Sequence, residues 1–165
     1  MSTLYVDNLQ PNLGSRVMAA GHVVQVVHAR YDTPITISGS GWISTGLAAT
    51  ITPTSTTSQI LITVHQQVHT SGGSGTENGC GFMVSRNGTT VSSTASATSF
   101  DMYHYDASAG NDWRGRISYS GMDSPASTSA LTYTANVVKY VAATGDLIVQ
   151  DQLNPSFMIL MEIAQ

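Results

Sequence analysis

Residues 155–165 read PSFMILMEIAQ and contain the longest unbroken apolar run of the chain. In an extended strand, successive side chains point to opposite faces. The two resulting sets are Phe157, Ile159, Met161 and Ile163 on one face, and Met158, Leu160 and Ala164 on the other. A strand in an ordinary sandwich buries one face and leaves the other in water. The pattern therefore predicts a closing strand whose second face is covered by another copy of the chain.

The rest of the chain carries strand signals as well. Residues 60–70, ILITVHQQVHT, alternate between an apolar face starting at Ile60 and a wetter face that includes His65 and His69. Asn87-Gly88 lies between two apolar stretches, which is a strong hairpin signal because both turn positions need positive φ. The hairpin occupies residues 80–91. Further strands are predicted at 23–31, 42–51, 113–123, 131–140 and 146–150, with loops at 71–79 and around a weak strand within 94–113. No stretch has a sustained helical period, so we predict an all-β jelly-roll sandwich.

Composition narrows the classes of function. Only 10% of the 165 residues are charged, whereas Ser and Thr together supply 41 residues. The net charge is −4, and the six basic residues are scattered along the chain. A phosphate-reading basic patch is therefore not expected, and neither is nucleic-acid binding. Cys80 is the single cysteine and is expected to be a small buried thiol. The amino end lacks a secretory signal, and no apolar run is long enough to span a membrane, so no membrane insertion is expected.

Five stretches, in order along the chain, resemble a family of small virion proteins of tailed phages, especially phages of marine and freshwater bacteria, often labelled tail fibre or head fibre. They are STLYVDNLQPNLGS, ITPTSTTSQILITV, GFMVSRNGTTV, MDSPASTSALTYTANV and SFMILMEIAQ. Gln59 stands where that family usually has Lys. The resemblance implies a virion protein made in the bacterial cytoplasm, a homotrimer of jelly rolls similar to the heads of complement C1q and tumour necrosis factor. It also implies that the closing strand lies near the three-fold axis.

The resemblance divides the chain into an attachment arm, residues 1–20, and a jelly-roll domain, residues 21–165. The arm is expected to bind other virion proteins of the capsid or tail through Leu4, Val6, Asp7, Leu9 and Pro11. Read from its residues alone, it is a short extended segment that orders when it docks, or a tail without function. The trimer interface is predicted at Met158, Leu160, Glu162 and Ala164. Glu162, the discordant residue, is expected to meet an Arg, a water cluster or solvent.

One cluster is a candidate contact surface for a host glycan or protein. It comprises Tyr103, His104, Tyr105, Asp106 and Trp113. Aromatic side chains with polar tips supply much of the energy of such contacts. The sequence leaves two alternatives to a contact surface open for this cluster, a metal site and an ordinary polar loop.

No spacing supports catalytic or metal-ligating residues or a cofactor, and the chain is predicted not to be an enzyme. His65 and His69 lie about 13 Å apart along one strand and cannot share a metal, although a three-fold axis could gather three copies of one His or of Glu162. Arg114 and Arg116 are expected to pair with Asp112 or Asp123. The alternative function is a glycan-binding or glycan-cleaving trimer acting on the host envelope, for which Asp101, Asp106 and Asp112 are the candidate acids.

Overall fold

The computed structural model describes residues 19–39, 41–72, 76–93, 102–106, 112–140 and 145–165. These ranges form the strands β1 (Val23–Tyr31), β2 (Ile35–Ile37), β3 (Ile43–Ile51), β4 (Gln59–Ser71), β5 (Thr76–Arg86), β6 (Thr89–Ser93), β7 (Met102–Asp106), β8 (Trp113–Asp123), β9 (Leu131–Lys139), β10 (Asp146–Val149) and β11 (Ser156–Ile163). A single 3₁₀ turn spans Asp151–Leu153. Within the described ranges, no helix has the length and apolar character needed to cross a membrane.

The strands form two antiparallel sheets. In the larger sheet, β4 pairs along one edge with β8 and along the other first with β11 and then with β10, while β1 and β2 lie outside β11 and β10. In the smaller sheet, β3 pairs with β9 and β9 with β5, whose far edge pairs with β7 and then with β6. The fold is a sandwich of two antiparallel sheets, and the prediction of an all-β sandwich is confirmed.

The core lies between the sheets and is built from one face of each strand. Ile60, Ile62 and Val64 of β4 are fully buried, as the alternation of residues 60–70 predicts. They belong to the same cluster as Phe82 and Val84 of β5. Burying one such side chain stabilises the fold by roughly 1.5–3 kcal/mol, so the alternation determines which way β4 faces.

The predicted hairpin is present. Asn87 and Gly88 have φ of 48° and 83° and connect β5 to β6. Two other expectations need correction, because β5 already begins at Thr76 within the predicted loop 71–79, and β2 is a short strand that the sequence did not indicate.

The long strands give the sandwich two ends. At one end, which we call the proximal end, Gln59 opens β4, and Gly21 and His22 hydrogen-bond to Ala164. Arg86, at the close of β5, pairs there with Asp123. The opposite, distal end carries Ser71, where β4 finishes, and Thr76, where β5 starts. A 13-residue strand spans about 40 Å, which separates the two ends.

Candidate functional site

The outer face of the larger sheet carries apolar side chains in register across four strands. Val26 lies opposite Met161, Met161 opposite Leu61, and Leu61 opposite Met122. The two outermost side chains are well exposed, Val26 at 56% and Met122 at 48%. We call this row together with its neighbours the apolar face; the neighbours are Val23, Ile159 and Ile163.

The apolar face becomes polar toward the distal end. Two rows beyond Met161, Phe157 lies between Arg30 and His65 on the neighbouring strands. The Phe157 ring stacks on His28 at 5.9 Å between ring centroids, and the Arg116 guanidinium lies 5.9 Å from its centroid. The proximal half of this sheet therefore presents hydrocarbon to water while the distal half presents charged and imidazole groups.

The two faces of β11 are oriented opposite to the prediction. The face that was predicted to lie at the trimer interface points into the core of the single chain. Met158, Leu160 and Glu162 are fully buried in the single chain and Ala164 is 5% exposed, so these four side chains face the other sheet. The remaining apolar set, starting with Phe157, is the partly exposed one. Alternation identifies which residues share a face but not which face points inward, and this is why the assignment was wrong.

Glu162 is a buried carboxylate held by neutral donors. It accepts hydrogen bonds from the Gln25 side chain at 2.6 Å, from the Ser58 hydroxyl at 2.7 Å, and from both the backbone and hydroxyl of Thr54 at 2.7 Å. Burial by itself raises the pKa of this carboxyl, but the hydrogen bonds from Ser58, Gln25 and Thr54 outweigh burial and lower the pKa to about 2. The residue thus fastens β11 to β1 and to the turn before β4, in place of the expected Arg or water cluster.

A second polar cluster lies toward the distal end of β4. Its members are His69, Asp112, Asp151 and Arg114. The His69 ring contacts Asp112 through Nε2 and lies 2.9 Å from Asp151 Oδ2 through Nδ1. Arg114 donates to Asp151 at 3.1 Å and to Asp112 at 3.0 Å. Hydrogen bonds from His69 and Arg114 hold the pKa of Asp112 below its ordinary value. The expected pairing of Arg114 with Asp112 is therefore confirmed, whereas the expected partner Asp123 is paired with Arg86.

The loop of residues 150–155, which includes Asp151 of this cluster, has a strained backbone. Gln150, Gln152 and Leu153 all have left-handed backbones, with φ of 54°, 53° and 59°. The Gln67 side chain accepts a hydrogen bond from the Asp151 backbone at 2.8 Å, and Arg116 donates to the Pro155 carbonyl at 2.7 Å. Non-glycine residues in this region cost about 1–2 kcal/mol each, so the surrounding contacts must maintain the conformation.

The predicted contact surface is divided between the two sheets. Tyr103 and Tyr105 are 49% and 53% exposed on one face of β7, whereas His104 between them is half-buried on the other face. Trp113 opens β8 in the larger sheet and packs against the core. The side chain of Asp106 lies outside the described residues, as do Asp101 and the predicted attachment residues of the arm.

The tyrosines of β7 have partners that the sequence did not indicate. Glu77 on β5 lies opposite Tyr105 on β7. Burial and the Glu77 charge raise the pKa of Tyr103, and the hydrogen bond to Glu77 raises that of Tyr140. The rings of Tyr103 and Tyr140 meet edge to face at 5.8 Å between centroids. We call these four side chains the tyrosine cluster, Glu77, Tyr103, Tyr105 and Tyr140. Within the described part of the chain, no three His, Cys, Asp or Glu side chains form a metal-binding group.

Comparison with known proteins gives a coarse result. No family model matches the sequence, and no curated protein matches it. Among solved structures, one of the Gx strain of infectious bursal disease virus matches with a TM-score of 0.41, 14% identity and coverage of 98% of this chain and 42% of that chain. The VP2 subviral particle of infectious bursal disease virus matches with a TM-score of 0.40, 14% identity and the same coverage. The chain thus spans about two-fifths of the length of those viral chains. Likeness this low carries no inference about function, which must be argued from the chain's own surfaces.

Proposed function

We propose that this chain is a non-enzymatic structural protein of a bacteriophage virion, a homotrimer that assembles through its apolar face. The observation that carries the proposal is the in-register row Val26–Met161–Leu61–Met122 with its apolar neighbours. Isolated apolar residues are common on protein surfaces, but a contiguous patch across four strands indicates an interaction surface.

The apolar face suits the apolar centre of a larger contact between subunits, because a stable interface buries about 800 Å² on each partner and surrounds its apolar centre with polar residues. Four strands about 4.8 Å apart are about 14 Å wide, and the outward residues of β11 in this face, from Ile159 to Ile163, extend for about 13 Å along the strand. Full burial of a Met, Ile or Leu side chain contributes roughly 1.5–3 kcal/mol. A second copy supplies the same apolar rows, so a closed, symmetric assembly covers the face without any other partner.

The virion assignment and the three-fold symmetry rest on the resemblance of the five sequence stretches to small phage virion proteins. The positions of the chain ends are compatible with it. The described chain begins at Ala19, next to the proximal end where His22 hydrogen-bonds to Ala164. An attachment arm comprising residues 1–20 then leaves from the proximal end, and the distal end points away from the particle. In this arrangement the protein is a head fibre, a capsid decoration or a short tail fibre.

Two measurements test the proposal. Sedimentation equilibrium of the purified protein is expected to give three times the chain mass at micromolar concentration, and a monomer at that concentration would refute assembly through the apolar face. Antibody labelling of purified particles of the virus that encodes the chain is expected to place gold at the head or tail. Particles that contain none of the protein by mass spectrometry would refute the virion assignment independently.

A further inference from the structure

The tyrosine cluster lies at the distal end, on the smaller sheet. β7 pairs with β5 from Thr76 to Cys80, which is the distal half of β5. Side chains at Cys80, Phe82 and Val84 point into the core, so the intervening positions of β5, including Glu77, face outward. The cluster is therefore on the opposite sheet from the apolar face, and assembly through that face leaves it accessible.

The geometry of the cluster preorganises a binding surface. Tyr103 and Tyr105 are two positions apart on one strand, so their rings repeat at about 6.6 Å along the surface. The edge-to-face contact orients the rings of Tyr103 and Tyr140, and Glu77 lies opposite Tyr105 on the neighbouring strand. Rings that are fixed before binding lose little conformational entropy when a ligand arrives.

The chemistry of the cluster fits a saccharide. Aromatic rings offer flat apolar surfaces to the C–H faces of sugar rings, while a carboxylate and phenol hydroxyls can exchange hydrogen bonds with sugar hydroxyls. Three rings around one carboxylate make a small footprint, whereas a stable protein interface needs about 800 Å² on each partner. These features favour a short oligosaccharide segment over a protein surface.

We propose that Glu77, Tyr103, Tyr105 and Tyr140 form a glycan-binding site that takes an oligosaccharide of the bacterial envelope. The choice of an envelope oligosaccharide as the ligand rests on the proposed function. The binding chemistry of the site depends only on the folded chain. Tyr103 and Tyr105 stack on successive sugar rings, and Glu77 accepts hydrogen bonds from sugar hydroxyls.

The test uses the full-length protein and an array of immobilised bacterial lipopolysaccharide and capsular oligosaccharides. The unsubstituted protein is expected to bind a subset of the array. The double variant Tyr103→Ala/Tyr105→Ala is expected to lose at least tenfold in affinity, and Tyr103→Phe, which keeps the ring, is expected to lose less. Thr90→Ala, an exposed change on β6, is the matched control and should bind like the unsubstituted protein.

A second readout avoids dependence on how the variants fold. Saturation-transfer NMR with the best-binding oligosaccharide is expected to show contact with tyrosine ring protons of the unsubstituted protein. Absence of binding across the array, or binding that the folded double variant retains in full, overturns the site. Because this assay needs neither the trimer nor the virion, a monomeric protein that binds glycan refutes assembly while supporting the site. A trimer that is found on particles but binds no glycan supports the proposed function and refutes the site.

Discussion

At the scale of single residues, Glu162 links pH to stability. Its carboxylate is fully buried and accepts hydrogen bonds from Gln25, Thr54 and Ser58, and its pKa falls from 4.5 to about 2 on folding. A group whose pKa is lower in the folded state stabilises the fold above its unfolded pKa and loses that contribution as the pH falls. We expect about 3 kcal/mol to be lost between pH 5 and pH 2, measured by urea denaturation across that range.

The substitution Glu162→Gln tests the same interaction at constant pH. It removes the charge and turns an amide toward hydroxyl and N–H donors, so the free energy of unfolding at pH 7 is expected to fall by about 2–4 kcal/mol. Near pH 2 the gap between the two proteins is expected to narrow to a fraction of its value at pH 7, because the native carboxyl is then about half protonated and most of its charge-dependent contribution is lost. Asp32→Asn is the matched control, since its ion pair with Arg30 is exposed and contributes at most about 1 kcal/mol. An unchanged gap between the proteins at pH 2 would contradict the assignment.

The strained backbone of the loop 150–155 makes a second prediction at this scale. Gln152 is exposed and has a left-handed φ of 53°, a conformation that glycine adopts without steric cost. We expect Gln152→Gly to raise the free energy of unfolding by up to about 1 kcal/mol. Glycine makes the unfolded chain more flexible, so more entropy is lost on folding, but the relief of backbone strain in the folded state exceeds this cost. Gln152→Ala removes the same side chain but keeps the strain, so thermal and urea denaturation should show no gain. Equal effects of Gly and Ala would contradict the strain.

At the scale of elements, β11 separates what alternation can predict from what it cannot. The pattern of residues 155–165 correctly predicts a strand with two apolar faces, because the period of side chains in a strand is two. It does not indicate which face turns inward, and an acidic residue on one face suggests exposure. Thr54 and Ser58, whose hydroxyls donate hydrogen bonds to the buried Glu162 carboxylate, are more than 100 positions away from it in sequence. A long-range hydrogen-bond set of this kind has no local signal.

The same contrast applies to β4 and β7. For β4 the apolar positions alternate over a long stretch, so the core face at Ile60, Ile62 and Val64 follows from the sequence. For β7 the exposure of Tyr103 and Tyr105 is consistent with their two-residue spacing, but Glu77 and Tyr140 reach them only through strand pairing. Trp113 lies on β8 in the other sheet, because closeness to β7 in the chain does not decide which sheet a residue joins.

The exchanged faces of β11 reverse the expected results of two substitutions. Met161→Asp places a charge on the apolar face, where burial against a second copy costs several kcal/mol, so a folded and soluble monomer is expected. Met158→Asp places the same charge in the core and is expected to unfold the chain. Circular dichroism and sedimentation velocity measure both outcomes, with Thr90→Asp as an exposed control away from the face. A folded Met158→Asp monomer together with an undisturbed Met161→Asp assembly would instead support an interface on the Met158 face.

At the scale of the whole molecule, the two ends of the sandwich have different roles in the proposed particle. The proximal end carries the start of the described chain and the carboxyl terminus, while the distal end carries the tyrosine cluster about 40 Å away along β4 and β5. The apolar face lies on one sheet and the tyrosine cluster on the other. In the proposed particle, assembly, attachment and glycan contact use different surfaces, and substitutions can separate them.

Deletion of residues 1–18 tests this separation. The hydrogen bonds of Gly21 and His22 with Ala164 remain, and the buried core residues among those that the structure describes are kept, so the shortened chain is expected to fold. Its sedimentation mass is expected to be three times that of the shortened chain, because the apolar face begins at Val23. Complementation of a virus that lacks the full-length protein should then yield particles without the shortened protein, measured by mass spectrometry of purified virions. Incorporation at the level of the full-length chain would show that attachment to the particle does not depend on the arm.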